Sequence, residues 1–258
     1  MKVISVVNTK GGSGKSTIAC NIAAIAASEG KKVILIDADG KQQSSMIFHS
    51  FRTNYNEKLE NEENKLAEYT AVSIPNNTIF KSIPSFSDFD LVVIDAGAGD
   101  NAIVRSAISA SAYGILVIPC QPSPYDLNGT MDTLNLLEEA RAMMDIKAYL
   151  VLNMIFTNKR VNILKDVEES INELVESYDV EIIEPGLTNY LAYKNSVMNG
   201  MSVVEFDAKG KAFYITSKKS KLGKEIYNYE EENSFPLPGR SPGSNCRYRR
   251  HSGILHRY

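Results

Sequence analysis

The sequence predicts an open α/β fold, a doubly wound and mostly parallel sheet flanked by helices. Three observations carry this. Short Val/Ile/Leu runs recur along the chain, and most are apolar on both faces, as a sheet covered on each side requires. Longer helix-patterned segments alternate with those runs. A glycine-rich turn follows the first run at once and opens a helix.

Taken in order, the predicted strands are Val3–Val7, Val33–Ile36, Thr78–Ile83, Leu91–Ile94, Ile115–Ile118, Ala148–Met154 and Val180–Ile183. Residues 16–29 place Ile18, Ile22 and Ile25 at helical spacing, and Gly30 stands where a C-terminal cap belongs. Residues 162–178 put Ile163, Leu164, Val167, Ile171, Leu174 and Val175 on one helical face. The stretch Asn54–Glu68 is rich in Glu, Asn and Lys and reads as a solvated helix or loop without a catalytic role.

The chain has 258 residues, 43% of them apolar, which excludes a disordered protein. No apolar run approaches the ~20 residues of a membrane span. The chain opens directly on a strand-like run, so no signal peptide is expected. Cys20, Cys120 and Cys246 are scattered without metal-ligand spacing, as expected for free thiols in a reducing cytoplasm. The net charge of −3 divides unevenly. Residues 1–233 hold 23 Lys plus Arg against 31 Asp plus Glu, while residues 234–258 hold five Arg and no acid. Mild acidity excludes a generally basic nucleic-acid coat protein but leaves room for a local basic patch.

The strongest motif is Asn8-Thr9-Lys10-Gly11-Gly12-Ser13-Gly14-Lys15-Ser16-Thr17. Gly11, Gly12 and Gly14 let the backbone wrap closely and aim N–H groups at phosphate oxygens. Ser13 completes the turn, and the helix opening at Lys15 adds its positive end. Lys15 suits the β- and γ-phosphates, the Ser16 hydroxyl suits Mg²⁺, and Thr17 a phosphate nearer the base. The ordinary consensus wants Gly where Thr9 stands. A second lysine, Lys10, opens the loop instead, which makes it the deviant form of the phosphate loop.

Such a loop needs acids near Mg²⁺ and the attacking water. Two predicted strands end in them, at Asp37-Ala38-Asp39 and at Asp95-Ala96-Gly97-Ala98-Gly99. In an open α/β sheet these strand ends face the ligand crevice. Asp95 is assigned to the Mg²⁺ shell through water, and Asp37 to orienting the water, with Asp39 supporting Asp37 and joining Ser16 and Asp95 as a metal candidate. Gly97 and Gly99 suit a loop that senses the γ-phosphate.

Lys10–Thr17, Asp37-Ala38-Asp39 and the Asp95 strand together resemble the ParA/MinD group of ATPases. Among these, the small partition proteins without an N-terminal DNA-reading domain are the most similar. Ile118-Pro119-Cys120-Gln121-Pro122-Ser123-Pro124-Tyr125-Asp126 and Gly200-Met201-Ser202-Val203-Val204-Glu205-Phe206-Asp207 fit the same group. The resemblance covers roughly residues 1–230. It implies an ATPase domain over 1–233 that binds ATP and Mg²⁺ and forms an ATP-dependent homodimer. In that dimer Lys10 reaches the partner's ATP while Lys15 serves its own, much as an arginine finger acts in trans. It also implies slow hydrolysis stimulated by a ParB-type adaptor, non-specific DNA binding, and a cytoplasmic, nucleoid-associated location. Asn153 matches the base-contacting position, and Pro185 is a second candidate there. The chain departs from the group after Asp39, where Gly40-Lys41-Gln42-Gln43 lacks the usual proline, a change expected to loosen or resize that loop.

For DNA, Lys209, Lys211, Lys218, Lys219, Lys221 and Lys224 form a run without intervening acid, and Lys194 lies where relatives carry an arginine. The Pro- and Gly-interrupted tail 234–258 is expected not to fold. It switches from the Lys-rich usage of the body to Arg alone, which points to foreign sequence. The competing reading is a membrane-positioning ATPase of the MinD type, with no membrane contact expected because the basic stretch ends in Glu230-Glu231-Glu232. A tyrosine autokinase would need a denser tyrosine tail, and a nitrogenase-like reductase paired cysteines near Asp95.

Overall fold

A computed structural model of the chain describes residues 1–155, 163–184, 186–188, 191–207 and 223. The strands are β1 (Lys2–Val6), β2 (Val33–Asp37), β3 (Thr70–Ser73), β4 (Leu91–Asp95), β5 (Gly114–Cys120), β6 (Lys147–Leu152) and β7 (Glu181–Ile182). They pair in the order β3-β2-β4-β1-β5-β6-β7, every ladder parallel. The helices are α1 (Lys15–Ser28), α2 (Ser44–Glu57), α3 (Ile79–Ser82), α4 (Ala102–Ala110), α5 (Pro124–Arg141), α6 (Ile163–Ser177), α7 (Leu191–Val197) and α8 (Val203–Phe206).

Alternate strand residues feed two cores, one on each face. Ile4, Val6, Leu35, Val93 and Val117 pack with Ile18, Ile22 and Ala23 of α1 and Phe48 of α2. Val3, Ile36, Val92, Ile94 and Ile118 pack with Val104 and Ile108 of α4, Leu134 of α5 and Ile171 of α6. The apolar runs without alternation arise from this double cover. α1 is alanine-rich and nearly all buried, so it sits close on the sheet. Replacing Ala23 by leucine would overpack it at a cost of about 1–3 kcal/mol.

Gly30 ends α1 as expected. Its φ is +82, its N–H donates to the Ala27 carbonyl, and the Lys31 N–H donates to the Ala26 carbonyl, the pair of hydrogen bonds of a left-handed helix stop.

Thr78–Ile83 is not a strand. Ile79 and Ile83 are both fully buried and four residues apart, a helical spacing, and the segment forms α3. The sheet's third strand is instead Thr70–Ser73, an edge strand whose half-exposed pattern hid it. The stretch Asn54–Glu68 is only partly solvated. Buried Asn56 at the end of α2 donates to the Leu66 carbonyl and accepts the Leu66 N–H, which pins the loop. The expected strand at Val180–Ile183 shrinks to the two residues of β7.

The carboxyl ends of β1, β2 and β4 share one level. Val6 pairs with Asp95, and Asp95 with Asp37. The glycine-rich turn leaves β1 at this edge, between β4 and β5, where the chain direction across the sheet reverses and ligands bind in such folds.

Candidate nucleotide site

The turn between β1 and α1 is held from outside through its carbonyls. The Gln121 amide donates to the Gly12 carbonyl at 3.0 Å, the Asn153 amide to Ser13 at 2.8 Å, and the Lys15 ammonium to Lys10 at 3.0 Å. Gly12 and Gly14 adopt φ of +78 and +93. A Cβ on Gly14 would lie 2.1 Å from the Asn153 amide nitrogen, so only glycine fits there.

A polar face of α5 anchors the base of the turn. Asn8 donates to the Pro119 carbonyl and to the Thr130 hydroxyl, and its own oxygen accepts the Lys10 N–H. The Thr9 N–H donates to the Thr133 hydroxyl, and the Thr9 hydroxyl to the Gly129 carbonyl. Sequence reasoning missed Asn8, Thr130 and Thr133. Thr130 and Thr133 are both fully buried on α5 and meet partners remote in sequence, so spacing carried no signal for them.

The turn opens onto a cleft of about 410 Å³ lined by Gly11, Gly14, Lys15, Ser16, Asp39 and Gln42 among others. A second, more apolar pocket of about 330 Å³ adjoins it, lined by Thr17, Asn153, Leu187, Tyr193, Lys194 and Val197. Both share Gly14, Thr17, Met154 and Val197, so they meet around the start of α1. A polar half at a helix N-terminus beside an apolar half with an aromatic ring suits a nucleotide, phosphates in one and base in the other.

The strand-end acids separate in their roles. Asp37 is fully buried. One carboxylate oxygen accepts the Asp39 N–H at 2.9 Å, the other the Ser45 and Met46 N–H groups at 3.0 and 3.1 Å. Burial raises its pKa, and these three bonds pull the other way. Asp39 is the carboxylate that lines the cleft. One of its oxygens accepts the Lys41 and Gln42 N–H groups, so a side-chain turn ties the start of the loop without proline.

Asp95 is also buried. One of its oxygens accepts the Ser45 hydroxyl at 2.6 Å, and the other, Oδ1, is a buried atom without a hydrogen-bond partner. Burial pushes its pKa up to about 7, the Ser45 and Ser16 hydroxyls draw it down, and Asp37 adds to the rise. Lys15 is nearly buried, and desolvation lowers its pKa against the pull of Asp95 and Asp39. A cation hydrate next to Ser16 would meet the unpartnered oxygen of Asp95, so these residues fit Mg²⁺. Among the described residues no cluster of three His, Cys, Asp or Glu could hold a metal unaided. Mg²⁺ suits such a place because it takes one or two protein oxygens and fills its shell with phosphate and water.

The remaining predicted residues fall as follows. The Lys10 ammonium lies 2.7 Å from Asp126, laid across Gly129. The Asn153 amide is committed at both ends to backbone, at Ser13 and Met154, which gives it a loop-holding place on the wall of the apolar pocket. Lys194 is exposed on α7 and lines that same pocket. Pro185, Lys209, Lys211, Lys218, Lys219, Lys221 and Lys224 lie outside the described residues.

The sequence profile of the family described as "CobQ/CobB/MinD/ParA nucleotide binding domain" matches residues 4–202. The chain belongs to this family. MinD and ParA proteins are ATPases, so the expected class of activity and the fold both stand. The chain is 28% identical over 221 residues to maintenance of carboxysome distribution protein A of Halothiobacillus neapolitanus, covering 81% of this chain and 89% of that one. It is 31% identical over 157 residues to the chromosome-partitioning ATPase Soj of Thermus thermophilus, covering 54% and 62%. The cell division ATPase MinD of Pyrococcus furiosus shares the fold at a TM-score of 0.64 and 19% identity, over 88% of this chain and 98% of that one. Among the described residues no helix is long and apolar enough to cross a membrane.

Proposed function

We propose that this positioning or partition ATPase segregates cargo over DNA. It binds ATP with Mg²⁺, dimerises, holds non-specific DNA, and is released when an adaptor stimulates hydrolysis. The observation that carries the reading is the deviant loop, with Lys15 seated in the cleft beside Asp39 and Asp95 and a second lysine, Lys10, at its outer rim. Relatives named for carboxysome distribution and for chromosome partitioning support the positioning part. The acid-free lysine run 209–224 supports DNA.

In this reading Lys15 neutralises the β- and γ-phosphates, and the loop N–H groups orient them. Ser16 and Asp95 hold the Mg²⁺ hydrate, with Asp39 beside them. When bound, that ion supplies positive charge to the phosphate oxygens as the γ-phosphate leaves. Asp37 works from behind the cleft by fixing the Asp39–Met46 loop that faces the attacking water. Lys10 serves the partner's nucleotide.

The test is binding with and without ATP to sheared DNA and, separately, to anionic vesicles. ATP-dependent DNA binding that weakens steeply with salt, and is lost on neutralising Lys218, Lys219 and Lys221, is expected. ATP-dependent vesicle binding with no DNA binding would replace this reading with membrane positioning.

A further inference from the structure

Ser45, at the second position of α2, touches both strand-end acids. Its N–H donates to Asp37 and its hydroxyl to Asp95 at 2.6 Å, and that hydroxyl in turn accepts the Cys20 thiol at 3.3 Å. The side chain is fully buried. Three elements therefore converge on one residue: α1 through Cys20 and β4 through Asp95 at its hydroxyl, and β2 through Asp37 at its backbone N–H. The bond occupies one oxygen of Asp95 and leaves the other, Oδ1, as the unpartnered atom. A carboxylate held in this way cannot rotate freely, because either rotation would strand a second buried oxygen.

We infer that Ser45 is a positioning residue for the Mg²⁺–nucleotide site. It holds the Asp95 carboxylate with Oδ1 presented for the ion's water shell, and it ties that presentation to the Asp39–Met46 loop. The inference rests on the nucleotide–Mg²⁺ reading above. Outer partners of this kind are worth roughly 10–100-fold in metal affinity. The arrangement also makes α2 a mechanical link. A shift of its first turn moves the N–H groups on Asp37 and the hydroxyl on Asp95 together.

The experiment titrates a fluorescent methylanthraniloyl-ADP at equilibrium with and without excess Mg²⁺. The ratio of the two affinities is the readout, and it needs no turnover. Ser45→Ala is expected to cut that ratio about tenfold or more, with the Mg²⁺-free affinity kept. Ser45→Cys under reductant has nearly the same volume and a weak donor, and is expected to show the same loss. Ser45→Thr, which restores the hydroxyl, is expected to recover the ratio. A wild-type ratio in the Ala or Cys variant overturns the inference. So does a Thr variant no better than Ala, which would make packing the cause, and so does failure of both Ala and Cys variants to fold. If the wild type itself shows no Mg²⁺ gain, the nucleotide–Mg²⁺ reading falls instead.

Discussion

Lys10 is paired with Asp126 of its own chain, ammonium to carboxylate at 2.7 Å. Asp126 sits in the first turn of α5, its N–H capped by the Ser123 hydroxyl. Gly129, one turn on, leaves room for the Lys10 stem, since a Cβ there would meet the Lys10 Cδ at 2.9 Å. In this state the lysine expected to serve a partner's nucleotide is held at home. It must leave Asp126 to act in trans.

Asp126→Asn is expected to release Lys10. A part-exposed ion pair is worth up to about 1 kcal/mol and a homodimer releases two of them, so ATP-dependent dimerisation should strengthen by about thirtyfold at most. Light scattering across an ATP titration reads this directly. Weaker dimerisation in the variant would show that Asp126 assists the dimer instead of competing with it. Lys10→Ala is the companion, and is expected to lose dimerisation or stimulated turnover while monomeric nucleotide binding persists.

The same pair sets a pH dependence. Burial pushes the Asp126 carboxyl up, but the Lys10 ammonium and the Ser123 hydroxyl outweigh it and hold the pKa below its ordinary 3.8. A depressed carboxylate stabilises the fold fully above its unfolded pKa, and the contribution is lost as pH falls through the folded value. Urea midpoints of wild type and Asp126→Asn should therefore differ near pH 6, and the difference should shrink as pH falls below the ordinary 3.8. A difference that is constant over that range would count against the pair.

Asp37→Ala removes one buried acceptor group from three backbone N–H groups. The loss of a helix-start cap of this kind costs about 2 kcal/mol. Nucleotide binding is expected to survive, because Lys15 and the loop are untouched, while hydrolysis falls to background. Equilibrium nucleotide titration beside a phosphate-release assay separates the two. Unchanged stability with normal turnover would show that Asp37 neither holds the loop nor serves the reaction.

Gly14→Ala drives a methyl into the Asn153 amide and strains a φ of +93. Nucleotide affinity is expected to drop by at least about tenfold, in line with strain of about 1–3 kcal/mol at such a backbone position. Asn153→Ala added to Gly14→Ala relieves the clash but not the φ, so it should recover only part of the affinity in the same titration.

The glycine-rich turn and the two strand-end acids were legible because their chemistry is local. A strand, a turn and a helix start within ten residues define a phosphate cradle whatever surrounds them. The central strands were legible because double burial makes them uniformly apolar. Thr70–Ser73 was not, since an edge strand of four half-exposed residues has no apolar run, and Thr78–Ile83 misled because Ile79 and Ile83 suit either period. The division of labour between Asp37 and Asp39 was hidden as well. Two residues apart on an extended chain they look equivalent, and only the path of the loop to Ser45 turns one inward. Ser45, Asn8, Thr130 and Thr133 act through partners distant in sequence, which spacing cannot show.

Arg52 carries the same lesson into the last prediction. It falls on α2 in a polar stretch, yet only 2% of its side chain is exposed. Its guanidinium pairs with both oxygens of Glu205 at 2.9 and 2.7 Å and donates to the carbonyls of Ala67 and Gly200. Glu205 also caps α8, and the Val203 N–H donates to Asn21 of α1. Arg52 thus fastens the segment after α7, whose Tyr193 and Val197 line the apolar pocket, to the helix that carries Ser45. Arg52→Met takes the counter-ion from the half-buried Glu205 carboxylate and the donors from two carbonyls, and is expected to cost about 3 kcal/mol. Nucleotide affinity should fall with it, as the wall of the pocket loosens. Arg52→Met with Glu205→Leu removes both charges, so its loss in urea denaturation should be smaller than the sum of the single losses. Strict additivity would mean that the two side chains do not act as one strut, and that Arg52 stabilises the fold through the Ala67 and Gly200 carbonyls alone.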